Sequence, residues 1–321
     1  MKTHLAAVLC SPRQFRIERR PAPPLGPGQL RVRLEGSGVC ASSLPVWEGR
    51  PWFAYPLSPG APGHEGWGRI EEVGAAVSVL RPGDRVALLS PHAFAETAVA
   101  EAGAAVPLPP ALDAQPFPGE ALGCAMNTFE RARIVAGEWV AIVGLGFLGA
   151  LLTQLAAGAG ARVIAVSRRE FSLSLGRRMG AVEAVPLDER GAVAGAVREI
   201  TGGRGCPCVI EATGLQAPLD VATDLTAERG RLVIAGYHQD GLRQVDMQTW
   251  NWRGLDVINA HEREPQRYAA GIRAAIAAVA AARLNPMPLY THRVTLGDLS
   301  SAFGGMRERP DGFLKALATY E

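Results

Sequence analysis

Three sets of residues in this chain have the types and spacing to do chemistry. The first is Gly144-Leu-Gly146-Phe147-Leu148-Gly149. Three glycines at this spacing suit a dinucleotide turn. Gly144 permits a tight bend, Gly146 lets the backbone approach a pyrophosphate, and Gly149 lets a helix pack closely on a strand. A helix opening at Phe147 and Leu148 would then aim its first N–H groups at the phosphates. The second set is Ser167-Arg168-Arg169, where a dinucleotide site needs contacts to the adenine ribose. An acid there would bind the ribose hydroxyls, but the first acid, Glu170, comes three places later. A hydroxyl and a guanidinium suit a 2′-phosphate through charge-assisted hydrogen bonds, so NADP(H) is expected ahead of NAD(H), with NAD(H) still open. The same arginines also fit an ordinary surface loop. The third set is Cys40, His64 and an acid, which offer thiolate, imidazole and carboxylate donors to zinc. A catalytic zinc keeps three protein ligands and one open position for a substrate oxygen. A buried cysteine, a core histidine and surface acids are the bland alternative.

These residues need particular elements around them. The glycine turn requires a strand before it and a helix after it, and the pattern predicts a strand over 139–143 and a helix over 147–159. Further strands are predicted over 162–166, 208–212 and 231–236, with a helix over 171–179. That βαβ rhythm predicts a doubly wound parallel sheet. Before Leu122, short apolar runs between Pro- and Gly-rich turns predict a strand-rich domain with a rolled sheet: 30–34, 68–73, 85–89 and 95–99. The last piece, from Pro265, holds an Ala-rich helix over 268–282, a polar turn, an amphipathic helix and a final apolar strand. Trp47, Trp52 and Phe53 follow the Cys40 loop and are expected to line a cleft for a bulky, partly apolar small molecule.

Composition narrows the function class. The 33 basic and 31 acidic residues nearly cancel, which argues against nucleic acid or an anionic membrane as the main partner. The apolar run Leu5–Cys10 is too short for a signal peptide core and reads as a first strand. The longer apolar stretch Trp139–Ala159 is broken by the glycine turn and does not read as a membrane span. Five scattered cysteines do not make a disulfide framework, and Cys206-Pro-Cys208 is too tight for the usual metal knuckle. A cytoplasmic enzyme is the expectation.

Several motifs occur together in order: Gly38-Val-Cys40-Ala-Ser42, Gly63-His64-Glu65-Gly66, Gly83-Asp84-Arg85-Val86, the glycine turn, Glu211-Ala-Thr-Gly214 and Thr291-His292-Arg293. With them the chain resembles the medium-chain dehydrogenase/reductase family, and within it the zinc-dependent alcohol and polyol dehydrogenases. The resemblance implies an α/β fold, with a Rossmann domain over 122–258 and a strand-rich, GroES-like catalytic domain over 1–121 completed by a return over 259–321. It places the third zinc ligand at Glu120, where relatives carry Cys, Asp or Glu. It makes Glu65 an acid behind the metal that can also approach it, and Ser42 the carrier of the substrate hydroxyl proton. Two positions depart from the family. Ser43 stands where relatives have an acid supporting the metal-binding histidine, and Pro45 where some have a proton-relaying histidine. The four-cysteine lobe that holds a structural zinc in many relatives has no counterpart between Arg85 and Phe94, so one metal is expected. The expected reaction interconverts an alcohol and a carbonyl. A zinc-free NADPH reductase of an activated C=C bond or quinone, and a non-enzymatic NADPH-binding protein, remain as alternatives. Edge-to-edge pairing over 255–259 would give a homodimer or a dimer of dimers.

Overall fold

A computed structural model describes residues 3–320. The chain begins with strands β1 (Thr3–Ser11), β2 (Gln14–Pro21) and β3 (Gln29–Gly38), then the short helix α1 (Leu44–Glu48). Strands β4 (Glu65–Val73), β5 (Arg85–Leu88), β6 (Thr97–Glu101) and β7 (Ala105–Pro107) follow, and then helix α2 (Gly119–Ala132). Next comes an alternation of β8 (Trp139–Val143), α3 (Phe147–Gly158), β9 (Arg162–Ser167), α4 (Glu170–Arg178), β10 (Glu183–Pro186) and α5 (Arg190–Ile200). It continues through β11 (Cys206–Glu211), α6 (Gln216–Leu225), β12 (Thr226–Ile234), α7 (Met247–Arg253) and β13 (Asp256–Asn259). The chain ends with α8 (Pro265–Ala280), β14 (His292–Val294), α9 (Leu299–Glu308) and β15 (Ala316–Thr319). It forms two compact units. One comprises Met1–Gly123, Glu264–Ala281 and Pro286–Glu321, and the other Cys124–Arg263 and Ala282–Asn285.

In the first unit the strands run β14-β15-β3-β4-β5-β7, with β6 also paired to β3. The register matters for chemistry, because Gly38 of β3 lies opposite both Glu65 of β4 and Leu317 of β15. The exit of β3, the entry of β4 and the entry of β15 therefore meet at one end of the sheet. One core lies among β3, β4, β5 and β6 (Leu30, Val32, Ile70, Val86, Leu88 and Ala98). A second gathers Leu9, Trp47, Phe94, Phe303 and Ala316. Here the expected aromatic cleft is corrected. Trp47 is 5% exposed and stacks on Phe303 with ring centroids 5.6 Å apart, and Phe53 packs against the same cluster. Only Trp52 of the three stands in solvent, at 57% exposure. Amphipathic α9 supplies Phe303, and burying an indole face against it gains more than leaving it to wait for a ligand.

The second unit is a six-stranded, all-parallel sheet in the order β10-β9-β8-β11-β12-β13, with the reversal between β8 and β11. Alternate residues of the same strands enter different cores. Trp139, Ala141, Val143, Ile164 and Val209 join one, while Val140, Ile142, Val163, Cys208 and Ile210 join the other. A sheet covered on both faces needs uninterrupted apolar strands, which is why this half was readable as continuous runs. Cys206 and Cys208 fall in different cores across a register shift, and burial pushes both thiols up to about 12. Neither is a reactive thiol or a metal knuckle. All five cysteines are free, and among the described residues no helix is long and apolar enough to cross a membrane.

Candidate active site

The first-unit site follows from the register. Cys40 comes two residues after β3 and caps the short turn Ala41–Ser43, His64 directly precedes β4, and Glu120 lies in the first turn of α2. Donor atoms of Cys40, His64 and Glu65 all lie within 4.8 Å of one another, and His64 Nε2 is 4.0 Å from Glu120 Oε2. Ser42 Oγ donates to Cys40 Sγ at 3.2 Å and lies 3.4 Å from His64 Nε2. The structure thus brings together Cys40, His64 and Glu65 of the expected metal set and places Glu120 beside His64.

The imidazole is oriented from behind by the backbone. His64 Nδ1 is 3.0 Å from the Pro62 carbonyl oxygen, an acceptor only, so Nδ1 carries hydrogen and Nε2 faces Cys40, Ser42 and Glu120. Ser43, standing where an acid was missed, reaches the same carbonyl at 3.4 Å instead of the ring. A backbone carbonyl is an ordinary outer-shell partner for a metal-binding histidine, so the lost acid does not leave the ring unsupported. Burial works to lower the His64 pKa, but the Cys40 hydrogen bond and the charges of Cys40, Glu120 and Glu65 outweigh it and raise it to about 10. Donors that crowd anionic charge onto one imidazole make a site suited to a divalent cation, and sulfur, nitrogen and carboxylate together suit zinc.

Lys315 was not singled out in the sequence, yet it shapes this site. Its Nζ lies 2.7 Å and 2.5 Å from the two Glu65 oxygens, with both side chains buried. Burial alone would lower its pKa, but Glu65 first, then Cys40 and Glu120, raise it. Gly38 makes room, because a Cβ there would stand 1.7 Å from Glu65 Oε2 and 3.1 Å from Lys315 Cε. The signal was present: a lone lysine inside Phe313-Leu314-Lys315-Ala316-Leu317 enters a buried strand and must meet a buried acid.

In the second unit the glycine turn has the geometry a dinucleotide needs. Gly144 has φ +102°, and a Cβ on it would strike Thr213 at 2.3 Å. Gly149 packs against the Gly144 carbonyl, while nothing lies within 4 Å of a Cβ built on Gly146, leaving the approach to the backbone open. Gly146 caps α3, whose first turn holds Phe147 and Leu148. Ser167 ends β9 in the next parallel position, with Arg168 exposed and Arg169 half-buried over Phe171.

Comparison with known proteins agrees with both halves. Residues 26–110 match the family described as "Alcohol dehydrogenase GroES-like domain", and residues 148–277 match "Zinc-binding dehydrogenase". Human sorbitol dehydrogenase is 26% identical over 94% of this chain and 92% of its own. The 2-dehydro-3-deoxy-L-galactonate 5-dehydrogenase of Pseudoalteromonas atlantica is also 26% identical, over 90% of this chain and 91% of its own. Among solved structures, a short chain alcohol dehydrogenase of Escherichia coli CFT073 with NADH has a TM-score of 0.88 at 22% identity, covering all of both chains. A zinc-binding dehydrogenase candidate of Sinorhizobium meliloti 1021 with NADP has a TM-score of 0.85 at 25% identity, also covering all of both.

The buried pair generates a stability prediction. Lys315→Met leaves Glu65 as an uncompensated buried charge and is expected to cost about 3–5 kcal/mol. Adding Glu65→Gln removes the second charge and is expected to recover most of that loss. Urea unfolding of the two variants beside the parent measures both, and a Lys315→Met cost below about 1 kcal/mol would contradict the argument.

Proposed function

Since the chain belongs to the zinc-binding medium-chain alcohol and polyol dehydrogenase family, we propose that it interconverts a hydroxyl of a small polyol and the matching carbonyl, using NADP(H) in preference to NAD(H). The observation that carries the reading is the convergence of Cys40, His64 and Glu65, with Glu120 beside His64 and the Ser42 hydroxyl against Cys40 and His64. An activated C=C reductase has no use for such a donor set, so the carbonyl reading takes precedence. The names of the sorbitol dehydrogenase and the galactonate dehydrogenase support a polyhydroxylated substrate, and the packing of Trp47 into the core, with Phe53 half-buried against it, argues against a bulky apolar one.

Cys40, His64 and Glu120 would hold the metal, which when bound supplies Lewis-acid polarisation of the substrate oxygen while the nicotinamide carries hydride. Glu120, 4.0 Å from His64 Nε2, takes the third position that the family resemblance gives it, while Glu65 is paired with Lys315. Glu65 then tunes the site from behind. Ser42 receives the alcohol proton on Oγ once its own hydrogen turns from the Cys40 sulfur and passes to solvent water, and Pro45 has no side-chain group to take that part.

Protein purified without added metal is expected to contain about one zinc per chain, removed together with activity by chelation. Ser42→Ala is expected to keep its zinc and lose about a hundredfold or more in turnover, the scale of a positioned proton-transfer group. Metal-free protein that reduces activated alkenes would overturn the reading. Loss of zinc in Ser42→Ala would make Ser42 a support of the metal site.

Cofactor choice rests on Ser167, Arg168 and Arg169 at the end of β9, with no acid among them. Arg168→Ala is expected to weaken NADPH by about tenfold and leave NADH nearly unchanged, because only the 2′-phosphate loses a charge-assisted contact. Equal affinity for the two cofactors in the parent protein would end the NADP preference.

The proposed assembly is a twofold dimer through β13, the last strand of the parallel sheet. Val257 on that strand is 37% exposed, and Trp252 at the end of α7 is 88% exposed. A free strand edge beside an exposed indole suits pairing with a second copy. Sedimentation at micromolar concentration is expected to give a dimer or a dimer of dimers, and a stable monomer would refute it.

A further inference from the structure

Glu211 is fully buried at the end of β11, beside β8, where the strand order reverses. Its register partners are Val143, which precedes the glycine turn, and Ile234, which ends β12. Ala212 N–H donates to the Val143 carbonyl at 2.9 Å, and Thr213 fills the space that a Gly144 side chain would need. The Glu211–Gly214 turn therefore abuts the dinucleotide turn.

One carboxylate ties together what surrounds it. Glu211 Oε1 accepts from the Thr213 N–H at 2.6 Å, the Gly214 N–H at 3.0 Å and the Thr213 hydroxyl. Oε2 lies 2.9 Å from His238 Nε2, and Arg243 Nε lies 2.9 Å from His238 Nδ1. A guanidinium only donates, so Nδ1 accepts and the ring's hydrogen sits on Nε2, donated to Glu211. Arg243 also donates to the Gly214 carbonyl at 2.8 Å and pairs with Asp240. The Glu211 carbonyl accepts the Ala235 and Gly236 N–H groups, both at 2.8 Å. The loop leaving β12 is thus fastened to the β11 turn at its start by backbone and at its end by Arg243. Tyr237 lies between these fastenings, 46% exposed and stacked on His261 beyond β13 at 4.9 Å.

We infer that His238 and Arg243, acting through Glu211, are positioning residues for the nicotinamide half of the dinucleotide, which rests against the loop carrying Tyr237. In a doubly wound sheet each βαβαβ half takes one mononucleotide outside the carboxyl ends of its strands. The glycine turn and Ser167-Arg168 serve the half built on β8 and β9. The network fixes the exits of β11 and β12 in the other half, and the Tyr237–His261 stack joins the exit of β13 to them. The inference rests on the dinucleotide reading given above.

The test is binding of NADPH and NADH, each beside its nicotinamide-free fragment, adenosine 2′,5′-bisphosphate and AMP. His238→Ala is expected to weaken NADPH about tenfold, the scale of one lost hydrogen bond to a charged group, and to leave the bisphosphate within about twofold. His238→Gln keeps one donor and one acceptor and is expected to recover most of the affinity. Arg243→Gln, at a less buried position, is expected to show the same selective loss and keeps the test open if His238→Ala does not fold. Unchanged NADPH binding, equal loss of the fragment, or equal loss in the Ala and Gln variants overturns the inference. Failure of the parent protein to bind any of the four ligands overturns instead the dinucleotide reading on which it rests.

Discussion

The ion pair between Glu65 and Lys315 is the constraint on which the first unit's site depends. Moving two charges out of water costs several kcal/mol for each ion, so such a pair is tolerated only where geometry repays it. Here both carboxylate oxygens meet the ammonium, at 2.7 Å and 2.5 Å, and Gly38 supplies the space by lacking a side chain. Because Glu65 opens β4 immediately after His64, whatever fixes Glu65 also fixes the backbone from which the imidazole projects. The partner comes from the entry of β15, so the final segment of the chain is part of the site's construction although it contributes no proposed metal ligand.

That pair also sets the electrostatics. Without Lys315, two carboxylates and the Cys40 sulfur would crowd one imidazole. With it, the Glu65 carboxylate is paired with an ammonium inside the donor cluster that it forms with Cys40 and His64. Glu120 stands 4.0 Å from His64 Nε2, while Glu65, which belongs to the donor cluster, is also in direct contact with Lys315. Ser42 is held among these donors by the Cys40 sulfur, so its hydroxyl is oriented before any substrate arrives.

Legibility in the sequence followed the physics of burial. Strands β8, β9 and β11 are covered on both faces and show as apolar runs, and the glycine turn shows because spacing and setting coincide. β2 did not show, since Arg16, Glu18, Arg19 and Arg20 leave only Phe15 and Ile17 as an inward stripe. The cluster of Cys40, His64 and Glu65 was legible from residue type and family order. Their orienting partners were not, because the Pro62 carbonyl has no residue-type signal and Lys315 is distant in sequence. Trp47 misled because an aromatic beside a functional loop looks the same in sequence whether it faces a cleft or the core. Its stacking on Phe303 depends on where α9 returns.

The two units solve the same problem in parallel ways. Each places one fully buried acid directly beside its functional motif: Glu65 after His64, and Glu211 one strand from Gly144. Each acid is paired with groups from later in the chain, an ammonium in one case and an imidazole backed by a guanidinium in the other. A buried carboxylate left alone is costly, so the native arrangement is favoured only when the later segment is in register. An apolar residue at either position would tolerate small slips of the neighbouring turn, whereas a carboxylate with its partners at hydrogen-bond distance does not. That intolerance is what a site needs when donor atoms must meet a metal, or a backbone turn a pyrophosphate, within a few tenths of an ångström, about the tolerance of a productive site.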